Sequence, residues 1–220
     1  PLIERGPFTV CPNSFDCPAQ LKGRILLLGW RGALDIEGLG EETARLLVET
    51  GLVKHLPDLF DLQAEQLLEL EGFAEKSANA LVDGIERASH CDLDRFLFGL
   101  GIREVGERGA RILARAFGTL KAVAAADAEQ LVELDEVGEA MAGAVTAWFA
   151  EERNRAMLAR LQAAGVAPEP VEAASDGALK GLRVVLTGRL EALSRDEAKA
   201  LVEAQGGRAV SSVSARTDLV

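Results

Sequence analysis

The sequence predicts a mainly α-helical chain with a short α/β tail, and three observations carry this. The middle holds a repeat of apolar positions at helical spacing. A Pro-, Glu- and Ala-rich stretch follows it, and beyond that the helical period gives way to β-branched runs bounded by glycine. At 220 residues, 48% of them apolar, the chain can bury one large core or two to three small ones, which excludes a disordered or collagen-like polymer.

Taken from the N-terminus, Pro1 to Val10 lacks the basic-then-apolar layout of a signal peptide, and no apolar run reaches the roughly 18 residues of a membrane span. The expectation is a soluble cytoplasmic monomer with no membrane partner. Three cysteines are too few for a disulfide framework and point to thiols or metal ligands. Cys11 and Cys17 flank a turn-rich stretch, compatible with half of a tetrahedral Cys₄ zinc site and equally with two incidental thiols. Cys91, beside His90, reads as a buried small side chain, and neither His55 nor His90 has a supporting constellation.

The repeat lies between residues 23 and 165. Aligned on Gly40, Ala74, Gly106 and Gly138, its four units are spaced by 34, 32 and 32 residues. Four residues earlier stand Ile36, Leu70, Ile102 and Leu134, and one earlier Leu39, Phe73, Val105 and Val137. Four residues later come Ala44, Ala78, Ala110 and Ala142, then Leu47, Leu81, Leu113 and Val145 at seven. Each unit reads as a short helix, a tight glycine-bearing turn and a second helix whose apolar face packs back on the first: a helix-hairpin-helix. Glycine in the turn permits positive φ and close approach of another molecule, and alanine four residues on lets two helices touch.

Such a turn leaves the first amides of the second helix without intrahelical partners at the positive end of its dipole, which suits a phosphate. A single turn of this kind could equally be a mere helix corner. Four in register favour binding to the backbone of duplex DNA, and amide donors explain how a chain of net charge −11 could do so. The turns differ: Gly38-Leu39-Gly40, Gly72-Phe73-Ala74 with Lys76 beyond it, Glu104-Val105-Gly106 and Glu136-Val137-Gly138. Residues 31–90 carry 5 basic and 13 acidic residues, whereas 91–120 carry 5 and 4. Arg103, Arg108, Arg111 and Arg115 make the third unit the expected principal phosphate clamp, and close approach is least expected at the second and fourth. Glu41 and Glu42 would stabilise the helix dipole in the first unit but compete with phosphate.

Residues 166–178 read as a linker. After it, Leu182 to Thr187 is a β-branched run ending in Thr187-Gly188. An amphipathic helix through Arg195, Ala198, Leu201 and Val202 follows, then a Gly206-Gly207 stop and a strand near Ala209 to Val213. This is the β-α-β start of a parallel sheet, and the 42 residues from 179 to 220 are too few to close and cover one.

CPNSFDCPAQ, ALDIEGLG, FLFGLGIREVGE, LKGLRVVLTGRL and GGRAVSSVSARTDLV together resemble the C-terminal part of bacterial NAD-dependent DNA ligases, nearly end to end. The resemblance implies the C-terminal half of a Cys₄ zinc finger in residues 1–22, with Cys11 and Cys17 as two ligands of Zn²⁺ and the other pair before Pro1. It further implies a four-unit helix-hairpin-helix domain at 23–165 and the N-terminal half of a BRCT domain at 179–220, where Thr187 and Gly188 would form an anion site or simply a tight strand-to-helix turn. In that family, adenylation and OB-fold domains outside this region use NAD and Mg²⁺ to seal nicks in replication and repair. The region represented here grips nicked double-stranded DNA in the nucleoid. Lys22, Lys54, Lys76 and Lys121 sit in no nucleotidyl-transfer context, so no catalytic residue is carried over and the fragment alone is expected to be inactive. Ala74 replaces the usual hairpin glycine, and Trp30 precedes Arg31 where the family tends to have a small polar residue. The alternative is a non-catalytic helix-hairpin-helix/BRCT repair scaffold. A dinucleotide-binding enzyme is disfavoured, because Gly38-Leu39-Gly40 lacks a third glycine and no strand precedes it.

Overall fold

The computed structural model describes residues 2–11, 13, 15–171, 178–179, 182–188, 193–210, 213 and 217–220. It opens on an antiparallel hairpin of β1 (Ile3–Arg5) and β2 (Phe8–Val10), turned at Gly6, whose φ is +58°. Ten α-helices follow: α1 (Pro18–Gly29), α2 (Glu41–Glu49), α3 (Ala64–Leu68), α4 (Glu75–Ala88), α5 (Leu93–Gly99), α6 (Glu107–Phe117), α7 (Leu120–Ala125), α8 (Ala128–Val132), α9 (Glu139–Ala150) and α10 (Glu152–Ala163). A 3₁₀ helix (Leu56–Asp61) joins α2 to α3. The tail forms β3 (Arg183–Val185), α11 (Arg195–Ala204) and β4 (Arg208–Val210).

The repeat columns are the core. All four alanines at the fourth position are at most 1% exposed, as are Leu47, Leu81, Leu113 and Val145 three residues further on. One continuous apolar cluster runs from Leu21 of α1 to Val166, after α10. The second, third and fourth units have the expected form, with α3, α5 and α8 leading into α4, α6 and α9. The first departs from it: α1 ends at Gly29, and a run of turns covers residues 31–34 where a short helix was expected.

Residues 166–171, within the span read as linker, lie on the helical body. The amides of Ala167, Glu169 and Val171 donate to the carbonyls of Ser89, Cys91 and Gly118. Beyond them β3 and β4 pair in parallel, Val184 opposite Ala209. Leu219 bridges to the β3 residue Val184. Val184, Val185, Ala198 and Val202 are buried, but Leu201, read as part of the apolar face of α11, is half exposed. Residues 211–212 of the second expected strand lie outside the described residues.

Candidate nucleic-acid interface

The four turns are built alike. In each, the residue before the register position donates its amide three residues back: Leu39 to Ile36, Phe73 to Leu70, Val105 to Ile102 and Val137 to Leu134, at 3.1–3.3 Å. In each, the register residue accepts the first helical bond, from Ala44, Ala78, Ala110 or Ala142, at 2.9–3.0 Å. Between these two bonds Leu39, Val105 and Val137 are buried and Phe73 is partly buried, which pins the turn and fixes the direction of the second helix.

The two properties expected of the turn glycines fall on different residues. Positive φ belongs to the first residue of each triplet: Gly38 (+83°), Gly72 (+88°), Glu104 (+63°) and Glu136 (+68°). The two glutamates therefore hold a left-handed conformation costing on the order of 1–2 kcal/mol each. The register residues are extended N-caps, with φ of −85° at Gly40, −125° at Ala74, −84° at Gly106 and −87° at Gly138. Any residue adopts that conformation, so Ala74 is no backbone defect. A Cβ added at Gly40, Gly106 or Gly138 would meet nothing within 4 Å. The fold does not require glycine at these three positions; what the missing side chain leaves open is the approach to the amides behind it.

Those amides lack an acceptor among the described residues at all four turns, and only the N-cap amide of the second is engaged. Gly40, Gly106 and Gly138 offer no side-chain acceptor, and no acceptor is found among the described residues for the amides of 40–43, 106–109 or 138–141. At the second turn the Ser77 hydroxyl accepts from the Ala74 amide at 2.9 Å. By contrast α7, α8 and α10 are capped by their own Thr119, Asp127 and Glu151 side chains.

The turns are exposed and linked by contacts. The Gly38 α-carbon faces Leu81 of α4, and Gly84 of α4 sits against the Glu37 backbone, joining units one and two. Gly32 lies against Glu107 at the start of α6, joining units one and three. Gly109 of α6 sits on Met141 of α9, joining units three and four.

Of the expected basic contacts, Lys76 and Arg103 are exposed, with no ion-pair partner among the described residues. Arg108 and Arg111 are engaged. Arg108 makes a two-pronged pair with Glu136 in the turn of the fourth unit (Nε to Oε2 2.5 Å, Nη2 to Oε1 2.6 Å), and Arg111 lies 3.6 Å from Asp94. Both arginines are largely exposed, so each pair contributes at most about 1 kcal/mol and can be exchanged for phosphate. Glu41 pairs with Lys22 at 3.2 Å, and Glu42 pairs with Arg45, which blunts the acidity of the first turn. The Arg108–Glu136 pair joins residues 28 apart in the third and fourth units, and no sequence signal announces it.

At the N-terminus, Cys17 is the residue that precedes α1, and its carbonyl accepts from the Leu21 amide at 2.9 Å. The Gln20 amide and, more weakly, the Ala19 amide and the Cys11 thiol pull its pKa below the ordinary thiol value against the opposing effect of burial. The two cysteines therefore stand together, the Cys11 thiol within reach of the Cys17 sulfur. No group of three or more metal-ligating side chains occurs among the described residues. Cys91 behaves as packing: burial pushes its thiol up to about 12. At the other end, Gly188 has φ +74°, and Arg195 donates to the Leu186 and Gly188 carbonyls at 3.2 and 3.1 Å. Ser194 and Glu197 cap α11 reciprocally, the Ser194 amide donating to the Glu197 carboxylate at 2.7 Å and the Glu197 amide to the Ser194 hydroxyl at 3.2 Å.

Tandem hairpins with this repeated turn define a helix-hairpin-helix protein. Residues 31–87 match the family described as a SAM-like helix-hairpin-helix tandem, and residues 95–158 match the helix-hairpin-helix motif. The chain is 47% identical over 212 residues to a protein named DNA ligase from Frankia casuarinae, covering 96% of this chain and 30% of that one. DNA ligases of Cellvibrio japonicus (45% over 212 residues, 96% of this chain) and Natronomonas pharaonis (44% over 218 residues, 99%) are similar, with 31% of each covered. The chain thus carries tandem helix-hairpin-helix motifs and, over nearly its whole length, is similar to a segment of proteins named DNA ligase. It spans less than a third of the length of these relatives.

Proposed function

We propose that this chain grips the backbone of duplex DNA around a single-strand nick, as the DNA-engaging part of an NAD-dependent ligase acting in replication and repair. The observation that carries the reading is the repeated N-cap glycine. Neither backbone angle nor packing requires it there, and it uncovers helix-start amides where a phosphate oxygen accepts hydrogen bonds and meets the positive end of the helix dipole. Units one, three and four, joined by contacts and with their first amides open, give an acidic chain affinity for a polyanion without a cationic coat. Lys76, Arg103, Arg108 and Arg111 add the salt-dependent share.

Strand sealing itself is assigned to adenylation and OB-fold domains outside this chain, where NAD and Mg²⁺ would be bound. Cys11 and Cys17 fit one half of a zinc sphere, two adjacent thiols at the start of α1, and would hold the ion together with a second cysteine pair; its role would be structural. The β3-α11-β4 unit is read as part of a BRCT domain, with Thr187 and Gly188 at the strand end.

The test adds the chain in trans to an adenylation–OB-fold fragment and measures sealing of a nicked duplex with NAD. Sealing that rises with this chain is expected. No stimulation, or covalent adenylylation of these 220 residues alone, contradicts the assignment.

A further inference from the structure

Trp30 is 53% exposed, although burying an indole is strongly favourable. It sits at the C-terminus of α1 in a loop that is firmly held. The Trp30 carbonyl accepts from the Ala33 and Asp35 amides at 2.8 and 3.1 Å, and the Ile36 amide returns to the Gly29 carbonyl at 3.1 Å. From α5, Arg95 reaches across to donate to the Arg31 carbonyl at 2.8 Å and the Ala33 carbonyl at 2.5 Å. The Arg31 guanidinium lies 5.9 Å from the indole centroid.

The position of this pair gives it meaning. Leu39, inside the first hairpin turn, packs on Gly29 so closely that a Cβ there would come within 2.8 Å of it. Gly32 is wedged between Trp30 and Glu107, the first residue of α6; a Cβ on it would lie 3.2 Å from the indole and 2.6 Å from the carboxylate. Trp30 and Arg31 therefore stand between the open amides of the first unit and those of the third.

We propose that Trp30 and Arg31 form a nucleic-acid contact of their own, distinct from the hairpin amides: the indole packs on the sugar-and-base wall of the groove between the phosphates held by units one and three, and Arg31 pairs with an adjacent phosphate. This rests on the DNA-binding reading above. A rigid, solvent-facing aromatic flanked by two anion sites and carrying its own cation matches a ligand with alternating apolar and anionic surfaces.

The chain has two tryptophans and no tyrosine, so in Trp148→Phe the emission comes from Trp30 alone. Should Trp148→Phe fold poorly, the difference between wild type and Trp30→Phe supplies the same signal. Titration with a fluorescein-labelled nicked duplex, read by anisotropy and by acrylamide quenching, separates the outcomes. The expected result is binding accompanied by a several-fold fall in quenching of Trp30. Trp30→Ala should weaken binding about tenfold at unchanged salt slope, because an apolar contact releases no counterions, while Arg31→Ala should flatten the slope by about one. Binding that leaves Trp30 fully quenchable, with Trp30→Ala at wild-type affinity, overturns the inference and leaves the hairpin reading standing. Absence of binding by the wild-type chain overturns both.

Discussion

Replacing Gly106 with leucine separates fold from function. In the folded chain φ is −84° and an added Cβ meets nothing within 4 Å, so no strain or clash is introduced. Losing glycine stiffens the unfolded chain, a gain of about 0.4–1 kcal/mol. Losing a preferred N-cap type costs a comparable amount. Net stability should therefore stay within about 0.5 kcal/mol, a shift of a degree or two in thermal melting. A leucine side chain would nonetheless cover the Glu107 and Arg108 amides. Each hydrogen bond to a charged phosphate contributes about 1.5–3 kcal/mol, so blocking one or two should weaken binding to a nicked duplex at least tenfold. Gly38→Ala is the converse control: at φ +83° an alanine is strained by about 1–2 kcal/mol and melting should fall. Fluorescence anisotropy and thermal denaturation on the same preparations decide the matter. Gly106→Leu that folds normally and binds with wild-type affinity would refute an amide-based grip.

Other expectations follow from the same geometry. Arg108→Glu with Arg111→Glu should weaken nicked-duplex binding and flatten its log–log salt slope by about two, measured by salt titration; unchanged binding excludes the clamp. Ala74→Gly should leave stability nearly unchanged and raise affinity a few-fold by anisotropy, since the second turn alone carries a Cβ over its amides. Gly109→Val should destabilise the chain by about 1–3 kcal/mol in urea, because a Cβ there lies 3.0 Å from the Met141 methyl between units three and four. Burial works to raise the pKa of Asp58, but the Arg160 guanidinium and the His55 and Lys54 amides outweigh it and hold the carboxyl below its ordinary value. A depressed carboxyl stabilises the fold above its unfolded-state pKa of about 3.9 and loses that effect as pH falls through the folded value. Asp58→Asn should therefore cost about 1–3 kcal/mol at pH 7, and the gap to wild type should close in acid melts.

The repeat was legible because it is a one-dimensional signal. Ala44, Ala78, Ala110 and Ala142 recur at near-constant spacing, and each is buried because two helices touch there. The amide logic of the turns was legible too, since it depends only on where a second helix begins. The partition of glycine roles was not: composition shows that Gly38-Leu39-Gly40 is a turn, but only φ shows that the first glycine satisfies the backbone and the second answers to nothing inside the molecule. Contacts between units also escaped the sequence. Arg108 with Glu136, Arg95 with the loop at 31–33, and Gly32 under Glu107 depend on how the hairpins stack, which apolar periodicity leaves undetermined. The β1–β2 hairpin was missed because each strand is three residues long, too short for an alternating pattern to stand out.

The most direct test follows the backbone amides themselves, by ¹⁵N NMR of the labelled chain during titration with a nicked duplex. The largest shifts should fall on residues 40–43, 106–109 and 138–141, with smaller ones at 74–77. Shifts confined to arginine and lysine side chains, with those amides unmoved at saturation, would contradict a grip made by helix-start N–H groups.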